Sequence, residues 1–167
     1  QGLDGGEAVD SVEMIDVISR GINPYRDFAD YIALAEQPEI RFVISNTTEA
    51  GIAFDPACRF DDAPASSYPG KLTQLLYHRY EHFNGAMDKG LIIFPCELIF
   101  LNGKELKRCI REYIRLWNLG EGFSNWFENA CGVHCTLVDR IVPGYPRDTA
   151  PQLCERVGYQ DNLLVKA

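Results

Sequence analysis

RFVIS at Arg41–Ser45 is the segment from which the architecture can be predicted most directly. It is an uninterrupted run of β-branched and aromatic side chains, and GLIIF at Gly90–Phe94 is a second run of the same kind. Strands that do not alternate polar with apolar residues are typical of parallel sheets buried on both faces. We therefore predict two parallel strands with helices on both sides of their sheet.

The rest of the chain alternates between helix and strand patterns. Gly2–Gly6 has the form of a tight turn, with a strand or hairpin arm after it. A third strand is predicted over Cys135–Val142. Helices are predicted after Asn23-Pro24, from Lys71, from Asn102, over Asn125–Ala130 and after Thr149. This alternation predicts an α/β fold, an open, mostly parallel Rossmann-type sheet with flanking helices.

Composition excludes some partners. The 167 residues carry a net charge of −8, which argues against nucleic acid because a run of phosphates could not be neutralised. No apolar stretch approaches the roughly 20 residues that span a bilayer, so we expect no membrane association and a cytoplasmic protein. The six cysteines form no C-x-x-C pair and are typical of reduced, buried thiols.

Two groups of residues could suggest a metal. Cys131, His134 and Cys135 could form part of a zinc site, but such a site usually has two spaced pairs of ligands and the sequence offers no second pair. His78 and His82 are four residues apart, yet Arg79 stands where a metalloprotease helix has glutamate. We predict no metal.

Polar residues follow the predicted strands. Because ligands of open α/β sheets bind outside the carboxyl ends of the strands, Glu49, Asn102 and Asp139 are expected to meet at one edge. Asn102 could be the cap of a helix with Glu105 three residues later, and could also present its amide to a carbonyl oxygen. Asp139 and Arg140 lie within an apolar strand pattern, where they are either ion-paired or part of a site.

The sequence contains no Walker loop, no G-x-S-x-G elbow and no G-x-G-x-x-G, although a Rossmann sheet normally begins with the last of these. Four segments nevertheless resemble one family closely, the mannitol dehydrogenase family of long-chain, metal-independent polyol dehydrogenases, and within it the members that act on sugar acids. The segments are Arg41–Ile52, Ser67–Thr73, Phe94–Gly103 and Val138–Pro143.

The resemblance implies roles for particular residues. It places Glu49 among the active-site acids, makes Asn102 the partner of the reacting carbonyl oxygen, and brings Asp139 and Arg140 to the same cleft. For the cofactor, NAD, the expected binding residues are those of the polar turn after the first strand, Asn46, Thr47 and Thr48.

The resemblance also implies a domain organisation. Members of the family pair an N-terminal Rossmann domain with a C-terminal helical domain, and the substrate lies between them. Residues 1–167 correspond to the second half of the Rossmann domain, and lack the glycine-rich phosphate loop, the catalytic lysine and the helical domain. We expect those missing segments to be the chain's partners, and the chain alone to be inactive.

The function implied is an NAD-dependent oxidoreductase of a small sugar acid in hexuronate catabolism. The alternatives are another polyol or sugar-acid dehydrogenase of the family, or a non-catalytic Rossmann module.

Overall fold

The computed structural model describes residues 2–9, 12, 14–48, 50–138 and 144–160. The described residues divide into a larger unit, within Arg20–Val138, and a smaller one that contains the described residues on either side of it. The strands are β1 (Gly2–Asp4), β2 (Glu7–Val9), β3 (Phe42–Ser45), β4 (Ile92–Pro95) and β5 (Gly132–Val133). The α-helices are α1 (Phe28–Ala33), α2 (Tyr68–His82), α3 (Asn102–Leu116), α4 (Gly120–Ala130) and α5 (Ala150–Val157), and the 3-10 helices are Leu34–Glu36 and Met87–Lys89.

The smaller unit contains a hairpin and a helix. Strands β1 and β2 pair in antiparallel fashion around Gly5 and Gly6, both of which have positive φ. The predicted turn is confirmed at Gly5 and Gly6, whereas Gly2–Asp4 forms the first strand of the hairpin and is no part of the turn. Helix α5 begins directly after Thr149, as predicted, and ends at Gly158 in the left-handed conformation.

The larger unit contains a parallel sheet in the order β3-β4-β5. Phe42 pairs with Ile92, and Ile92 pairs with Gly132. The first two predicted strands are confirmed to within two residues. The third, predicted over Cys135–Val142, is wrong over residues 135–138, which form no strand, and its remaining residues lie outside the described ones. Strand β5 lies earlier, at Gly132–Val133.

Helices α2, α3 and α4 form the core with the sheet. Leu76, Ile93, Leu106, Ile110 and Phe127 belong to one cluster and are all fully buried. Side chains of this size each gain about 1.5–3 kcal/mol on burial, so this cluster is the main source of stability.

Three helix starts differ from prediction. Helix α2 begins at Tyr68, where the Ser67 hydroxyl accepts a hydrogen bond from the Gly70 amide. Helix α4 begins at Gly120, because buried Phe123 extends the apolar face toward the N-terminus. Helix α1 begins only at Phe28, since the Asn23 side chain accepts from the Tyr25 amide and forms a turn instead.

The two faces of the sheet are unequal. Val43 and Ile93 face the helical core, whereas Phe42 and Ile44 on the other face are 54% and 72% exposed. The Phe42 and Phe94 rings stack across neighbouring strands on that exposed face. The prediction of a sheet covered on both faces is therefore wrong for the described residues.

Arg79 of α2 fixes the amino edge of the sheet. Its guanidinium is 1% exposed and donates to four backbone carbonyls, those of Ala35, Gln37, Ile40 and Lys89, at 2.6–3.0 Å. These carbonyls lie in the segments that lead into β3 and β4. Arg79 therefore sets where both strands begin.

Candidate functional site

A polar turn follows β3 at the carboxyl edge of the sheet. Asn46, Thr47 and Thr48, the predicted cofactor-binding residues, are exposed there. Thr47 is also fixed by a buried side chain, because its amide and its hydroxyl both donate to Glu97 Oε1, at 3.0 and 2.9 Å. The turn thus presents polar groups outward while one of its residues is fixed.

Glu97, which follows β4, is the anchor of that turn. It is only 3% exposed, and its Oε2 accepts a further hydrogen bond from the Ser45 hydroxyl at 3.0 Å. Burial alone would raise the pKa of Glu97, but the hydrogen bonds from Thr47 and Ser45 outweigh it and the pKa lies below its usual value. The side chain is therefore a carboxylate at neutral pH.

Asn102 connects the ends of β4 and of the segment after β5. It is 1% exposed, and its Nδ2 lies within hydrogen-bond distance of the carbonyls of Pro95 (2.8 Å), Glu97 (3.0 Å) and Thr136 (3.1 Å). Its Oδ1 accepts from the amides of Gly103 and Thr136. The carboxamide thus pairs with both backbone groups of Thr136, as a neighbouring peptide would in a sheet.

The predicted capping box at Asn102 is wrong. Leu101, in the left-handed conformation, is the residue before the helix, and Asn102 is its first residue. Glu105 instead pairs with Arg108. The Asn102 side chain does not cap its own helix and instead bonds to the backbone of Pro95 and Thr136, outside the helix.

The start of α3 also determines where β5 ends. A Cβ atom at Gly103 would lie 2.6 Å from the carbonyl carbon and oxygen of His134, so only glycine permits this approach. The hydrogen bonds between the β5 segment and β4 end at His134, whose amide donates to the carbonyl of Ile93. Two residues later, the Thr136 amide donates to the Asn102 side chain instead of to β4. This is the physical reason that no strand continues over residues 135–138.

Tyr68 adds a buried hydroxyl to this edge. Its oxygen is inaccessible to solvent and has no hydrogen-bond partner among the described residues. Burial, with a contribution from the charge of Glu97, raises the pKa of Tyr68 to about 12 against the opposing effect of Ser45. Tyr68 is therefore a neutral, buried phenol close enough to Glu97 to be affected by its charge.

A cavity of about 250 Å³ opens beside Glu97, between segments 97–100 and 136–138. A larger cavity, about 410 Å³, lies between α1 and α2, but it contains none of the predicted site residues. The smaller cavity is the relevant one, because it lies at the carboxyl edge where ligands of such sheets bind.

Three predicted residues, Glu49, Asp139 and Arg140, lie outside the described residues, and their roles stay predictions. Asn102 is at the expected edge, but its amide hydrogens face backbone carbonyls. Its role toward a substrate carbonyl also stays a prediction.

Sequence reasoning missed Glu97, Tyr68 and Arg79. Glu97 had a usable signal, since it follows a strand in the same way as Glu49 does. Arg79 had one too, because it continues the apolar positions Leu72, Leu75 and Leu76 at helical spacing.

The histidines and cysteines are spread along the chain and do not form one group at the carboxyl edge. His78 and His82 are partly exposed beside Glu36. The six cysteines, all of them among the described residues, form no disulfide bond with one another. In the part of the chain that the structure describes, no three His, Cys, Asp or Glu side chains are grouped so as to hold a metal ion. Nor is any helix within those ranges long and apolar enough to cross a membrane.

A Rossmann-type parallel sheet with polar residues gathered at its carboxyl edge is the arrangement of a dinucleotide-binding domain. The sequence matches the mannitol dehydrogenase Rossmann domain over residues 2–167, so the chain belongs to the mannitol dehydrogenase family. The fold class and the family that were predicted from sequence are both confirmed.

Comparison with individual proteins gives a more specific similarity than the family does. The chain is 69% identical over all 167 residues to an altronate oxidoreductase of Phocaeicola vulgatus, and 68% identical to one of Bacteroides thetaiotaomicron. It covers 35% of each, so it spans about a third of these relatives' length. In structure it resembles the mannitol 2-dehydrogenase of Pseudomonas fluorescens, solved with NAD and D-mannitol (TM-score 0.63, 17% identity, 85% of this chain and 30% of that one).

Proposed function

We propose that this chain is part of an NAD-dependent oxidoreductase that interconverts tagaturonate and altronate. The observation that carries the proposal is the 69% identity to an altronate oxidoreductase over all 167 residues of the chain. We further propose that the rest of the dinucleotide-binding domain and a helical substrate domain belong to the same full-length protein, since the chain corresponds to about a third of its relatives.

NAD would supply the hydride acceptor or donor for this reaction. The exposed side chains of Asn46 and Thr48 are suited to contact its nicotinamide half, and Thr47, whose amide and hydroxyl both donate to Glu97, would hold the turn in place between them. The pyrophosphate has no place at α3, because the amides of Asn102, Gly103 and Lys104 already bond to Ile99, to the Asn102 side chain and to Leu101. We therefore propose that a phosphate-binding helix start lies outside this chain, and that the chain alone binds NADH weakly.

The substrate would be held next to this edge. We propose Glu49, Asp139 and Arg140 as contacts of the sugar acid, supported by their places in motifs that resemble the family. Asn102 could polarise the keto oxygen only if Nδ2 exchanged one of its carbonyl partners for the substrate. A lysine outside this chain would act as the general acid.

The test is turnover by the full-length protein. We expect NADH absorbance to fall when tagaturonate is added, and altronate with NAD to give the reverse reaction. Fructuronate, fructose and mannitol are the comparison substrates. Faster turnover of one of these would move the protein to another member function of the family, and no turnover with any of them would contradict the proposal.

A non-catalytic module is the second candidate, and the exposed Phe42 and Ile44 face favours it. Under this alternative the full-length protein would bind a protein partner and would not bind NADH. We propose a cytoplasmic location in either case, supported by six cysteines that form no disulfide bond with one another, as is typical of a reducing compartment.

A further inference from the structure

We propose that Glu97 is a positioning residue, which holds the turn after β3 in the conformation that receives the cofactor. This inference rests on the proposed function, because it assumes that the exposed turn binds NAD. Glu97 itself does not contact the cofactor in this account. It acts through Thr47.

The contacts of Glu97 bridge two strands. Thr47 is 50 positions before Glu97 in sequence, and both its amide and its hydroxyl donate to a single carboxylate oxygen. The Ser45 hydroxyl occupies the other oxygen. The backbone link at this end, from the Cys96 amide to the Ser45 carbonyl, stops before Thr47. The carboxylate thus extends the connection between the strands by two residues into the turn.

Glu97 is itself rigidly placed. Its carbonyl accepts hydrogen bonds from Asn102 Nδ2 at 3.0 Å and from the Ile99 amide at 2.7 Å. Asn102 is in turn bonded to Thr136. Hydrogen bonds therefore run from Thr136 through Asn102 and Glu97 to Thr47, and they tie together the carboxyl ends of all three strands. A binding site needs this kind of support, because groups that contact a ligand must be held within about 0.5 Å of the productive geometry.

A carboxylate suits this task better than a neutral group. Three donors converge on it, and hydrogen bonds to an ionised acceptor are about twice as strong as neutral ones. Glutamine would keep one acceptor oxygen for Thr47 but would turn an amino group toward Ser45. Methionine has a similar volume and would remove all three acceptors. The two substitutions therefore grade the loss of support.

The experiment compares Glu97→Met and Glu97→Gln with wild type in the full-length protein. NADH affinity is measured by fluorescence titration, and KM and kcat are measured with tagaturonate. We expect Glu97→Met to weaken NADH binding and raise the KM for NADH about tenfold or more, the equivalent of one charge-assisted hydrogen bond. The kcat at saturating NADH should change less, and Glu97→Gln should restore part of the affinity.

The matched control is Glu128→Met. Glu128 also accepts three hydrogen-bonding contacts, two from Arg111 and one from Lys107, but on the surface between α3 and α4. Its loss should leave the KM for NADH unchanged. This control separates a general loss of stability from a loss of cofactor positioning.

Each outcome decides the matter. A folded Glu97→Met protein with wild-type affinity for NADH would overturn the inference. If Glu97→Met does not fold, Glu97→Gln decides instead, and wild-type affinity in that variant would overturn it. A wild-type protein that binds NADH but does not reduce tagaturonate would contradict the proposed function alone. A wild type that does not bind NADH would contradict both.

Discussion

The amino and carboxyl edges of the parallel sheet are each fixed by buried polar side chains, in different ways. At the amino edge, one guanidinium, that of Arg79, donates to four backbone carbonyls. Four of its five N–H groups are matched by these carbonyls. The arrangement leaves little hydrogen-bonding capacity for anything else.

At the carboxyl edge, Asn102 and Glu97 share the same task. The hydrogen bonds of Asn102 go mainly to buried backbone groups, whereas the Glu97 carboxylate supports an exposed turn. A buried Tyr68 hydroxyl without a partner among the described residues and a cavity of about 250 Å³ lie at this edge as well. At this edge the polar turn after β3 is fixed by Glu97 and still exposes the side chains of Asn46 and Thr48.

This comparison indicates that one edge of the sheet serves stability and the other serves ligand binding. A closed network at one edge sets where the strands begin, and an open network at the other holds ligand-binding groups in place. This agrees with the general rule that open α/β sheets bind ligands at the carboxyl ends of their strands. Substitutions at the two edges should therefore affect different properties.

The largest effect on folding is expected at the amino edge. Arg79→Met would leave four carbonyls without their donor, at about 1–3 kcal/mol for each that water cannot reach. We expect a loss of several kcal/mol, which urea unfolding of the full-length protein would show as a large fall in the midpoint. Arg115→Met, at an exposed position in α3, is the control and should unfold like wild type. A wild-type midpoint for Arg79→Met would mean that the four hydrogen bonds do not fix this edge.

The next largest loss of folding stability is expected for Asn102→Asp. It would replace a donor with a carboxylate facing the carbonyl oxygens of Pro95, Glu97 and Thr136, in a site without access to water. We expect a loss of about 3 kcal/mol or more, from unsatisfied groups and a buried charge. Asn102→Leu, which removes the donor without adding charge, should lose less. Equal stability of Asn102→Asp and wild type, with a large fall in kcat, would favour direct action on the substrate instead.

A small effect is expected at Glu128, away from both edges. The hydrogen bond from Arg111 chiefly lowers the pKa of Glu128 to about 2, with help from Lys107 and against partial burial. Because the folded pKa lies below the ordinary value of 4.5, the stabilisation is complete above pH 4.5 and is lost as the pH falls toward 2. Glu128→Gln should lower stability by about 1 kcal/mol or less at pH 7. Thermal melts should show this difference narrowing below pH 4.5, and a difference that grows there would contradict the assignment.

Much of the fold could be predicted from local patterns. The strands at Phe42–Ser45 and Ile92–Pro95 have strong apolar runs, so they were found to within two residues. Strand β5 has only Gly132 and Val133, and it exists because the amides of Gly132 and His134 donate to the carbonyls of Leu91 and Ile93. A tertiary pairing of that kind leaves no local signal.

The site was only partly predictable for the same reason. The strand-end rule brought attention to the turn at Asn46–Thr48 and to Asn102, and the structure places them at one edge. It could not tell that the Asn102 amide faces backbone, because its partners Pro95 and Thr136 are set by how α3 packs on the sheet. Helical spacing places Arg79 on the buried face of its helix, but a charged residue within an apolar pattern does not reveal which carbonyls surround it.

Hydrogen–deuterium exchange of the full-length protein, with and without NADH, tests the contrast between the edges most directly. Ligand binding slows exchange where it stabilises the structure. We predict slower exchange with NADH in peptides covering residues 44–48 and 95–101, and no change in those covering 35–40 and 87–91. Protection at the amino edge without protection at residues 44–48 would contradict the account.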